Sequence, residues 1–233
     1  MQAVILAGGK GTRLKLHTTV FPKPLVPVGD MPILEIIIRQ LAYYGFKNIV
    51  LAVGHLKELI MAYFGDGSKW NVRITYSFER APLGTAGPIK NISNLEENFL
   101  VMNGDLLCDL NYRGLFDFHK NNDADVTITQ LKKKVKINLG VLVTKNNSII
   151  DYIEKPEYLF NVSMGIYIVN KKVLRFIPEQ TRFDLPQLIM KLLHAEKKVV
   201  PFSFKGRWFD IGSPEDFEIA VKKLRKFKNE FLK

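Results

Sequence analysis

A glycine-rich segment near the amino terminus has the residue types of a loop that binds an anion. The segment LAGGKGTRL occupies positions 6–14 and directly follows the apolar run Ala3-Val4-Ile5. Its glycines allow backbone N–H groups to approach phosphate oxygens without hindrance from a Cβ atom, and Arg13 adds a planar set of donors. The spacing differs from the dinucleotide fingerprint, which needs glycine in place of Leu14, and from the Walker A motif. The same residues are also compatible with a tight connection between a strand and a helix.

Three charged residues further along the chain could act together with this loop. Lys23 lies between Pro22 and Pro24, which stiffen the backbone and restrict the directions available to its ammonium group. Asp105, in NGD, follows an apolar run, where a turn aspartate is the simpler interpretation, and Asp210 lies in the aromatic segment WFDIG. Two carboxylates together with phosphate oxygens suit Mg²⁺, which binds few protein ligands and keeps several waters. These residues therefore suggest a magnesium site for a phosphorylated substrate.

The elements that must position these residues alternate between strand-like and helix-like segments in the first half of the chain. Apolar runs of strand length are followed by segments in which apolar residues recur at helical spacing. Such alternation is typical of parallel βαβ units with helices on both faces of a sheet. A loop after the first strand would then lie at the carboxyl edge of the sheet, where ligands bind. The predicted strands are 3–6, 48–53, 72–78 and 99–102, and the predicted helices are 33–44, 56–64 and a short segment after Gly84.

The second half of the chain is richer in strand-like segments. Short β-rich runs are predicted at 125–131, 139–143, 149–154 and 163–169, followed by a helix at 185–195, a strand at 199–204 and a terminal helix from Pro214. No long linker or internal repeat separates the two halves of the sequence. We therefore interpret 1–233 as a single α/β domain, in which 1–110 binds nucleotide and 111–233 supplies the substrate wall and the terminal helix.

Composition and charge exclude several classes of protein. The chain carries one cysteine, Cys108, and four histidines, which excludes an internal disulfide and a thiolate metal cluster and argues against zinc. The longest apolar runs are too short to span a bilayer and no signal peptide is recognisable, so we expect a cytoplasmic protein. The net charge of +11 indicates either a solubilising surface or polyanionic ligands, and no signature of a nucleic-acid reader is present. The lysine-rich segment from Lys222 is expected to form a solvated terminal helix, with a role at a membrane surface left open.

Taken in order, six motifs resemble those of the sugar-1-phosphate nucleotidylyltransferases. They are GGKGTRL, PKPLVPVGDMPILE, PLGTAGPI, NGD, EKP and WFDIGSPEDF, and they extend from the first predicted strand to about residue 220. The resemblance implies a Rossmann-like three-layer sandwich with a mostly parallel central sheet and a smaller β-rich sugar-binding part. It also implies an enzyme that joins a nucleoside triphosphate to a sugar 1-phosphate with Mg²⁺ and releases pyrophosphate. The β-helix domain appended in larger relatives is not expected here, and a homo-oligomer is compatible with the family.

The resemblance assigns roles to individual residues. Arg13 and Lys23 are the implied catalytic residues, Arg13 contacting the departing pyrophosphate and Lys23 neutralising charge near the α-phosphate. Asp105 and Asp210 are the implied ligands of Mg²⁺. The implied nucleotide-binding residues are Leu6, Ala7, Gly8, Gly9, Gly11, Thr12, Glu79, Gly84 and Thr85, and the implied sugar-phosphate-binding residues are Gly140, Glu154, Lys155 and Gly165.

The identity of the base is predicted from Glu79, which ends a predicted strand five residues before Gly84. Relatives that use thymidine or uridine triphosphates often carry glutamine there, whereas a carboxylate accepts the adjacent N1–H and N2–H donors of guanine. The segment PLGTAGPI also resembles mannose-1-phosphate guanylyltransferases more than thymidylyl enzymes. We therefore expect GTP as the substrate, with a thymidylyl-, uridylyl- or cytidylyltransferase as the alternative. A solvated Glu79 paired with Arg80 or a nearby lysine is the competing interpretation of this residue.

Two other classes of protein compete with this interpretation. A non-catalytic regulatory homologue is expected to have lost at least one of the implied catalytic or metal-binding residues, and all four are present. A glycosyltransferase on a similar sheet usually carries an Asp-x-Asp metal motif after a strand, and Asp123-Ala124-Asp125 has this pattern. The motif precedes a predicted strand in a polar segment, so a solvated turn is the simpler interpretation.

Overall fold

The computed structural model describes residues 1–9, 21–79, 81–212 and 214–231, and its central element within these ranges is a seven-stranded sheet. The strands are β1 (Gln2–Ala7), β2 (Pro27–Val28), β3 (Met31–Pro32), β4 (Asn48–Val53), β5 (Arg73–Phe78), β6 (Asn98–Asn103), β7 (Leu106–Cys108), β8 (Val126–Lys136), β9 (Val141–Lys145), β10 (Ser148–Ile153), β11 (Glu157–Asn170), β12 (Val199–Ser203) and β13 (Trp208–Asp210). The α-helices are α1 (Ile33–Tyr43), α2 (Lys57–Phe64), α3 (Gly87–Lys90), α4 (Tyr112–Asn121), α5 (Leu185–His194) and α6 (Pro214–Phe231). Short 3-10 helices span Lys23–Leu25, Ser68–Trp70 and Lys171–Phe176.

The order of strands across the sheet is β12-β8-β11-β6-β1-β4-β5. Neighbouring strands are parallel except where β11 is involved, which runs antiparallel to both β6 and β8. This mostly parallel sheet confirms the predicted fold class. Because β6, β1, β4 and β5 are parallel neighbours, their carboxyl ends lie together at one edge of the sheet, where ligands bind in folds of this kind.

Hydrophobic cores on both faces of the sheet hold the helices against it. In β1, Ala3, Ile5 and Ala7 pack into one core and Val4 packs into the other, as expected for side chains that alternate along a strand. The first core includes buried residues of α1, α2, α4 and α6, and the second includes buried residues of α3 and α5. The sheet is therefore the middle layer of three, which fixes the strand ends that form the site.

Helix α4 was not predicted from the sequence. Its apolar stripe is short, with Leu115 and Phe116 buried against the first core among polar neighbours. The helix begins after Asn111, whose side-chain oxygen accepts a hydrogen bond from the N–H of Gly114 at 2.9 Å. This is a typical N-cap and contributes on the order of 1 kcal/mol to helix stability. The cap signal was present in the sequence, but the apolar periodicity was too brief to support it.

Strands β8 and β11 are longer than predicted, and their paired outer halves extend past the carboxyl end of β6. Strands β8 and β11 pair from Leu131 opposite Val162 to Lys136 opposite Glu157. The pairing of β11 with β6 ends at Ile166. Between the outer halves the chain forms the hairpin β9–β10. We call residues 131–162 the arm. The lysine run at 132–134 interrupts the apolar pattern of β8, and the continuation of β11 over 157–162 was not predicted.

Helix α6 is not simply a solvated helix, as its lysine content had suggested. Ala220 and Phe231 are fully buried and belong to the first core. The helix therefore closes one layer of the fold with its apolar residues, and the solvated character expected for the segment from Lys222 does not hold at Phe231. No helix in the described part of the chain is long and apolar enough to cross a membrane.

Candidate active site

A cavity of about 650 Å³ lies at the carboxyl edge of the sheet. It is bounded by the ends of β1, β4, β5 and β6, and its opposite wall comes from the segments 81–85 and 182–184. Gly11, Thr12 and Arg13 lie outside the described residues, and their roles stay predictions. The predicted site residues that line the cavity are Leu6, Ala7, Gly8, Gly9, Lys23, Glu79, Gly84, Thr85 and Asp105.

Gly8 and Gly9 follow each other at the end of β1 and require glycine for different reasons. A Cβ atom on Gly8 would lie 2.6 Å from Oε1 of Glu79 and 3.4 Å from the backbone N of Gly54, so internal packing alone excludes a side chain. A Cβ atom on Gly9 would meet no described atom within 4 Å. The space in front of Gly9 belongs to the cavity, which fits close approach of a ligand to the backbone.

Lys23 is positioned by the proline-flanked 3-10 helix at 23–25 and is almost completely buried, with 8% of its surface exposed. Its Nζ forms an ion pair with Oδ2 of Asp105, which lies in the turn between β6 and β7. A buried ammonium group needs such a partner because removing its charge from water is costly. The sequence had predicted a restricted lysine and a carboxylate at a strand end, and the structure brings the two together.

The second oxygen of Asp105 is the atom of the cavity best suited to a cation. Oδ1 of Asp105 is buried and has no hydrogen-bond partner among the described residues. A buried carboxylate oxygen without a donor is unusual, and a metal ion is one way to satisfy it. No group of three or more acidic, histidine or cysteine side chains suited to a metal occurs in the described ranges, so substrate oxygens would have to complete the coordination. The donor set at Asp105 therefore fits Mg²⁺ bound jointly by protein and phosphate.

Asp210 lies next to Asp105 in the fold but lines a different cavity. Strand β13 pairs with β7 so that Asp210 is opposite Leu106, and the N–H of Ile211 donates to the backbone oxygen of Asp105 at 3.1 Å. The side chain of Asp210 borders a neighbouring cavity of about 390 Å³ together with the lysines at 132–134. The two predicted metal ligands are thus adjacent through their backbones, and only Asp105 is among the described residues that line the larger cavity.

Glu79 lies at the end of β5 with its carboxylate inside the larger cavity. Oε2 accepts a hydrogen bond from the N–H of Leu83 at 3.1 Å, and Oε1 packs against Gly8. Burial raises the pKa of Glu79, and the hydrogen bond from Leu83 opposes that shift. Within the described ranges Glu79 forms no ion pair, and the proposed alternative partner Arg80 lies outside them. Its carboxylate is therefore placed to accept hydrogen bonds from a ligand in the cavity.

The loop that contains Gly84 and Thr85 is fastened to the second half of the chain by Asp184. Oδ1 of Asp184 accepts hydrogen bonds from the backbone N–H of Thr85 at 2.9 Å and from its hydroxyl at 3.3 Å. The hydroxyl oxygen in turn accepts from the N–H of Leu185 at 2.8 Å. Gly84 has a φ of +80°, and a Cβ atom there would lie 2.6 Å from the same carboxylate oxygen. Thr85 therefore lines the cavity with both of its donors already bonded to Asp184.

Asp184 and Arg182 were missed by the sequence analysis although both line the cavity. The only local signal at Asp184 is its position before a proline-containing helix, where its N–H donates to the side chain of Gln187 at 2.8 Å. That pattern predicts a helix start and gives no indication of Thr85, which lies 99 residues earlier. The two segments are joined directly by backbone hydrogen bonds between Phe183 and each of Leu83, Ala86 and Gly87.

The predicted sugar-phosphate residues are not assembled in the cavity. Gly140, Glu154 and Lys155 belong to the arm, and none of them is among the described residues lining the larger cavity. Lys155 forms an ion pair with Glu154 at 3.3 Å, and both side chains are 58% exposed. Gly165 lies at the base of the arm with a φ of +73°, where a Cβ atom would be 2.8 Å from Nδ2 of Asn103. Only Gly165 is therefore close to the cavity, through Asn103.

The Asp-x-Asp alternative lies far from this site. Asp123 and Asp125 precede β8 at its amino end, whereas the cavity lies at the carboxyl ends of the parallel strands. Asp123 adopts a φ of +45° in a turn, and the carboxylate of Asp125 accepts a hydrogen bond from the N–H of Lys198 at 2.9 Å. The structure supports the turn interpretation and gives no support to a metal motif of a glycosyltransferase.

A mostly parallel sheet, with glycines, a buried lysine and three carboxylates around a cavity at its carboxyl edge, is typical of a nucleotide-binding α/β protein. Residues 2–226 match the nucleotidyl transferase family. The chain belongs to this family, and the resemblance drawn from the sequence motifs is confirmed.

Named relatives of the chain are guanylyltransferases. It is 38% identical over 226 residues to the mannose-1-phosphate guanyltransferase of Yarrowia lipolytica, a match that covers 93% of this chain and 62% of the relative. It is 32% identical over 230 residues to the D-glycero-alpha-D-manno-heptose 1-phosphate guanylyltransferase of Aneurinibacillus thermoaerophilus, covering 97% and 100% of the two chains. The crystal structure of HddC from Yersinia pseudotuberculosis is similar in fold, with a TM-score of 0.73 at 28% identity and coverage of 96% and 99%. The chain thus spans less than two thirds of the length of the fungal relative and all of the bacterial one.

Proposed function

We propose that this protein transfers the guanylyl group of GTP to a sugar 1-phosphate and releases pyrophosphate. One observation carries the proposal: a single cavity contains the glycine end of β1, the Lys23–Asp105 ion pair and the carboxylate of Glu79. The glycines at the end of β1 suit phosphate groups, and the Lys23–Asp105 pair suits a cation bound to phosphate. The carboxylate of Glu79 suits a base with two adjacent hydrogen-bond donors. Guanylyltransferase relatives at 32% and 38% identity support the same reaction.

Glu79 supports guanine as the base. An ionised carboxylate only accepts hydrogen bonds, so it matches the adjacent N1–H and N2–H of guanine and opposes the carbonyl oxygens that flank N3–H in uracil and thymine. Oε2 already accepts from Leu83, and each carboxylate oxygen has capacity for a further donor. The HddC relative has also been solved in complex with GMP-PN.

The chemistry that we propose is a direct displacement. An oxygen of the sugar phosphate attacks the α-phosphorus, the bond to the β-phosphate oxygen breaks in line, and pyrophosphate leaves with that oxygen. The nucleophile needs no general base, because the second pKa of a phosphate monoester is about 6 and it is ionised at neutral pH. Repulsion between anions is the main obstacle, so Lys23 beside the phosphates, with Arg13 and Lys155 in the roles that the resemblance implies, would supply the opposing charge.

Mg²⁺ is the proposed cofactor, and Oδ1 of Asp105 is the atom that would hold it, with Asp210 as the second predicted ligand. When bound, the ion would neutralise charge on the phosphate oxygens. Lys23 would keep the carboxylate of Asp105 oriented toward that position through its ion pair at Oδ2.

The test is a pyrophosphate-release assay that crosses GTP, ATP, UTP, CTP and dTTP with a panel of sugar 1-phosphates. We expect turnover that requires Mg²⁺ and a sugar 1-phosphate, with the highest kcat/KM for GTP. Omission of the sugar 1-phosphate is the matched control, because an enzyme that hydrolyses the nucleoside triphosphate to the monophosphate and pyrophosphate would continue without it. Absence of pyrophosphate release with every pair would favour the non-catalytic homologue, and a tenfold preference for UTP, CTP or dTTP would contradict the assignment of the base.

A further inference from the structure

The arm exposes apolar side chains that a water-soluble ribbon would not be expected to expose. Residues opposite each other in an antiparallel ladder lie on the same face, so register joins Val135 with Tyr158 and Leu131 with Val162 on the face that also carries Phe160. The other face carries Lys132, Lys134 and Lys136, together with Leu159, which is 61% exposed. The ribbon is therefore amphipathic, a pattern typical of strands with one face buried. Phe160 is nevertheless 50% exposed. We call the face that contains Phe160 the apolar face of the arm.

The hairpin β9–β10 at the end of the arm also exposes apolar side chains. Strands β9 and β10 pair only with each other among the described strands, and every residue of β10 is exposed. Ile149 and Ile150 are 63% and 60% exposed. An isolated two-stranded hairpin is marginally stable in water and normally needs a further surface to pack against. An exposed apolar area of this extent indicates a partner.

The position of Lys155 and Glu154 on the arm bears on which partner would cover it. Both residues follow the hairpin and precede β11, on the arm. Eight residues of strand separate Glu157 from Gly165, which corresponds to about 25 Å of chain, and Lys155 lies two residues further out. Lys155 therefore pairs with Glu154 in solvent, while Gly165 remains beside Asn103 at the rim of the cavity.

We propose that two copies of this chain exchange their arms, so that Glu154 and Lys155 of one copy complete the sugar-phosphate site at the cavity of the other. The inference rests on the proposed function, because it assigns Lys155 to the phosphate of the sugar. The arm leaves the sheet at its carboxyl edge, the edge that carries the cavity, so each copy presents an arm and a site on the same side. A reciprocal exchange forms a closed pair with two identical sites, which is the usual symmetry of a dimer.

The exchange also accounts for the exposed surface. The apolar face of the arm would be buried against the second copy, and the basic face could lie toward the anionic substrates. Lys133 is opposite Phe160 at the centre of the apolar face, so its stem can pack on the partner while its ammonium group reaches the edge of the interface. The second copy is preferred over an unrelated protein because it alone supplies a cavity that needs the residues carried by the arm.

The decisive experiment is complementation between two inactive variants. Asp105→Asn removes the cavity carboxylate and keeps the arm, and Lys155→Ala removes the arm cation and keeps the cavity. If the site is shared, mixed dimers formed by co-expression contain one site with both residues, and statistical mixing restores about one quarter of wild-type activity. The double variant Asp105→Asn/Lys155→Ala, co-expressed with itself, is the matched control and should remain inactive. A fully active wild type combined with no recovery in the mixture would overturn the exchange.

Association is tested separately by sedimentation of the intact protein. We expect a dimer that Phe160→Asp dissociates, with loss of turnover and retention of GTP binding measured by calorimetry. Met190→Asp is the matched control, since Met190 is 53% exposed on α5 and lies outside the arm. This variant should remain a dimer and keep wild-type turnover. A wild-type monomer, or a dimer that persists in Phe160→Asp, would overturn the interface whether or not the protein is active. An inactive wild type would instead contradict the proposed function.

Discussion

Lys23 and Asp105 lie 82 residues apart in the chain and form an ion pair through Nζ and Oδ2, which leaves Oδ1 of Asp105 without a hydrogen-bond partner among the described residues. One oxygen of the carboxylate is thus oriented by a buried cation and the other is available to a ligand. Removing the carboxylate should therefore affect both the site and the local charge balance.

The first prediction concerns this carboxylate. We expect Asp105→Asn to reduce kcat to below a tenth of wild type at saturating Mg²⁺, an effect above about 1.4 kcal/mol in the barrier, while the protein remains folded. Steady-state kinetics measure kcat, and a thermal melt shows whether the variant remains folded. The control is Asp109→Asn, which removes an ion pair with Arg207 at 3.1 Å from a residue outside the set that lines the cavity. Activity above a tenth of wild type in Asp105→Asn would exclude a metal-binding role.

The second prediction concerns the fastening of the loop at Gly84 by Asp184. Asp184→Ala removes the acceptor for both donors of Thr85, so we expect the KM for GTP to rise several-fold with little change in the KM for the sugar 1-phosphate. Gln187→Ala is the matched control, because it removes only the bond from the N–H of Asp184 at the start of α5. Both variants should lose on the order of 1 kcal/mol from the cap of the helix. Equal KM values in the two variants would show that Asp184 acts only as a cap.

The sequence predicted those parts of the site that depend on short segments. An apolar run followed by glycines placed the end of β1, and a proline-flanked lysine and a strand-end aspartate identified Lys23 and Asp105. Parallel topology then required the strand ends to share one edge, which is why residues at the ends of β1, β5 and β6 could be assigned to one site, with the role of Glu79 supplied by the family resemblance.

Features that depend on tertiary packing could not be predicted in this way. Asp184 reaches Thr85 only because backbone bonds at Phe183 hold its segment beside residues 83–87, and neither segment contains a pattern that specifies the other. The outer half of β8 contains the lysine run at 132–134, which resembles a solvated charge run until its register with β11 is known. Burial of Phe231 depends on where α6 is placed against the first core.

The third prediction uses the buried His119. Its Nδ1 lies 2.8 Å from the hydroxyl of Thr127 and its Nε2 lies 3.0 Å from Oδ1 of Asn98. Burial lowers the pKa of His119 to about 4, against an ordinary value of 6.5, although Asp123 and Asp125 act in the opposite direction. Between those two values the unfolded chain binds a proton that the folded chain does not, so the free energy of unfolding should fall as the pH falls from about 6.5 to about 4.

Chemical denaturation at a series of pH values measures this slope. His119→Gln should reduce the slope over that window, at some cost in stability at pH 7 because the bonds to Thr127 and Asn98 change. His194→Gln, an exposed position at the end of α5, is the matched control and should keep the wild-type slope. An unchanged slope in His119→Gln would mean that other groups cause the acid sensitivity.

The last prediction joins the specificity of Glu79 to its effect on stability. We expect Glu79→Gln to lower kcat/KM for GTP by tenfold or more, about 1.4 kcal/mol, and to raise it for UTP and dTTP, because an amide matches their alternating acceptors and donor and the repulsion of the carboxylate is removed.

Burial raises the pKa of Glu79 above its ordinary value of 4.5, so the charged form is disfavoured in the folded protein. A carboxyl group shifted in this direction loses stability as the pH rises through its pKa in the folded state, and a neutral glutamine avoids that loss. Glu79→Gln should therefore be at least as stable as wild type at pH 7.5, and the difference should disappear below about pH 4, where the carboxyl group is protonated in both states. Glu96→Gln is the matched control, because Glu96 lies outside the described lining of the cavity and should alter neither the preference for the base nor turnover. A Glu79→Gln variant that keeps the wild-type preference for GTP and is less stable at pH 7.5 would show that this carboxylate maintains the loop at Leu83 and does not select the base.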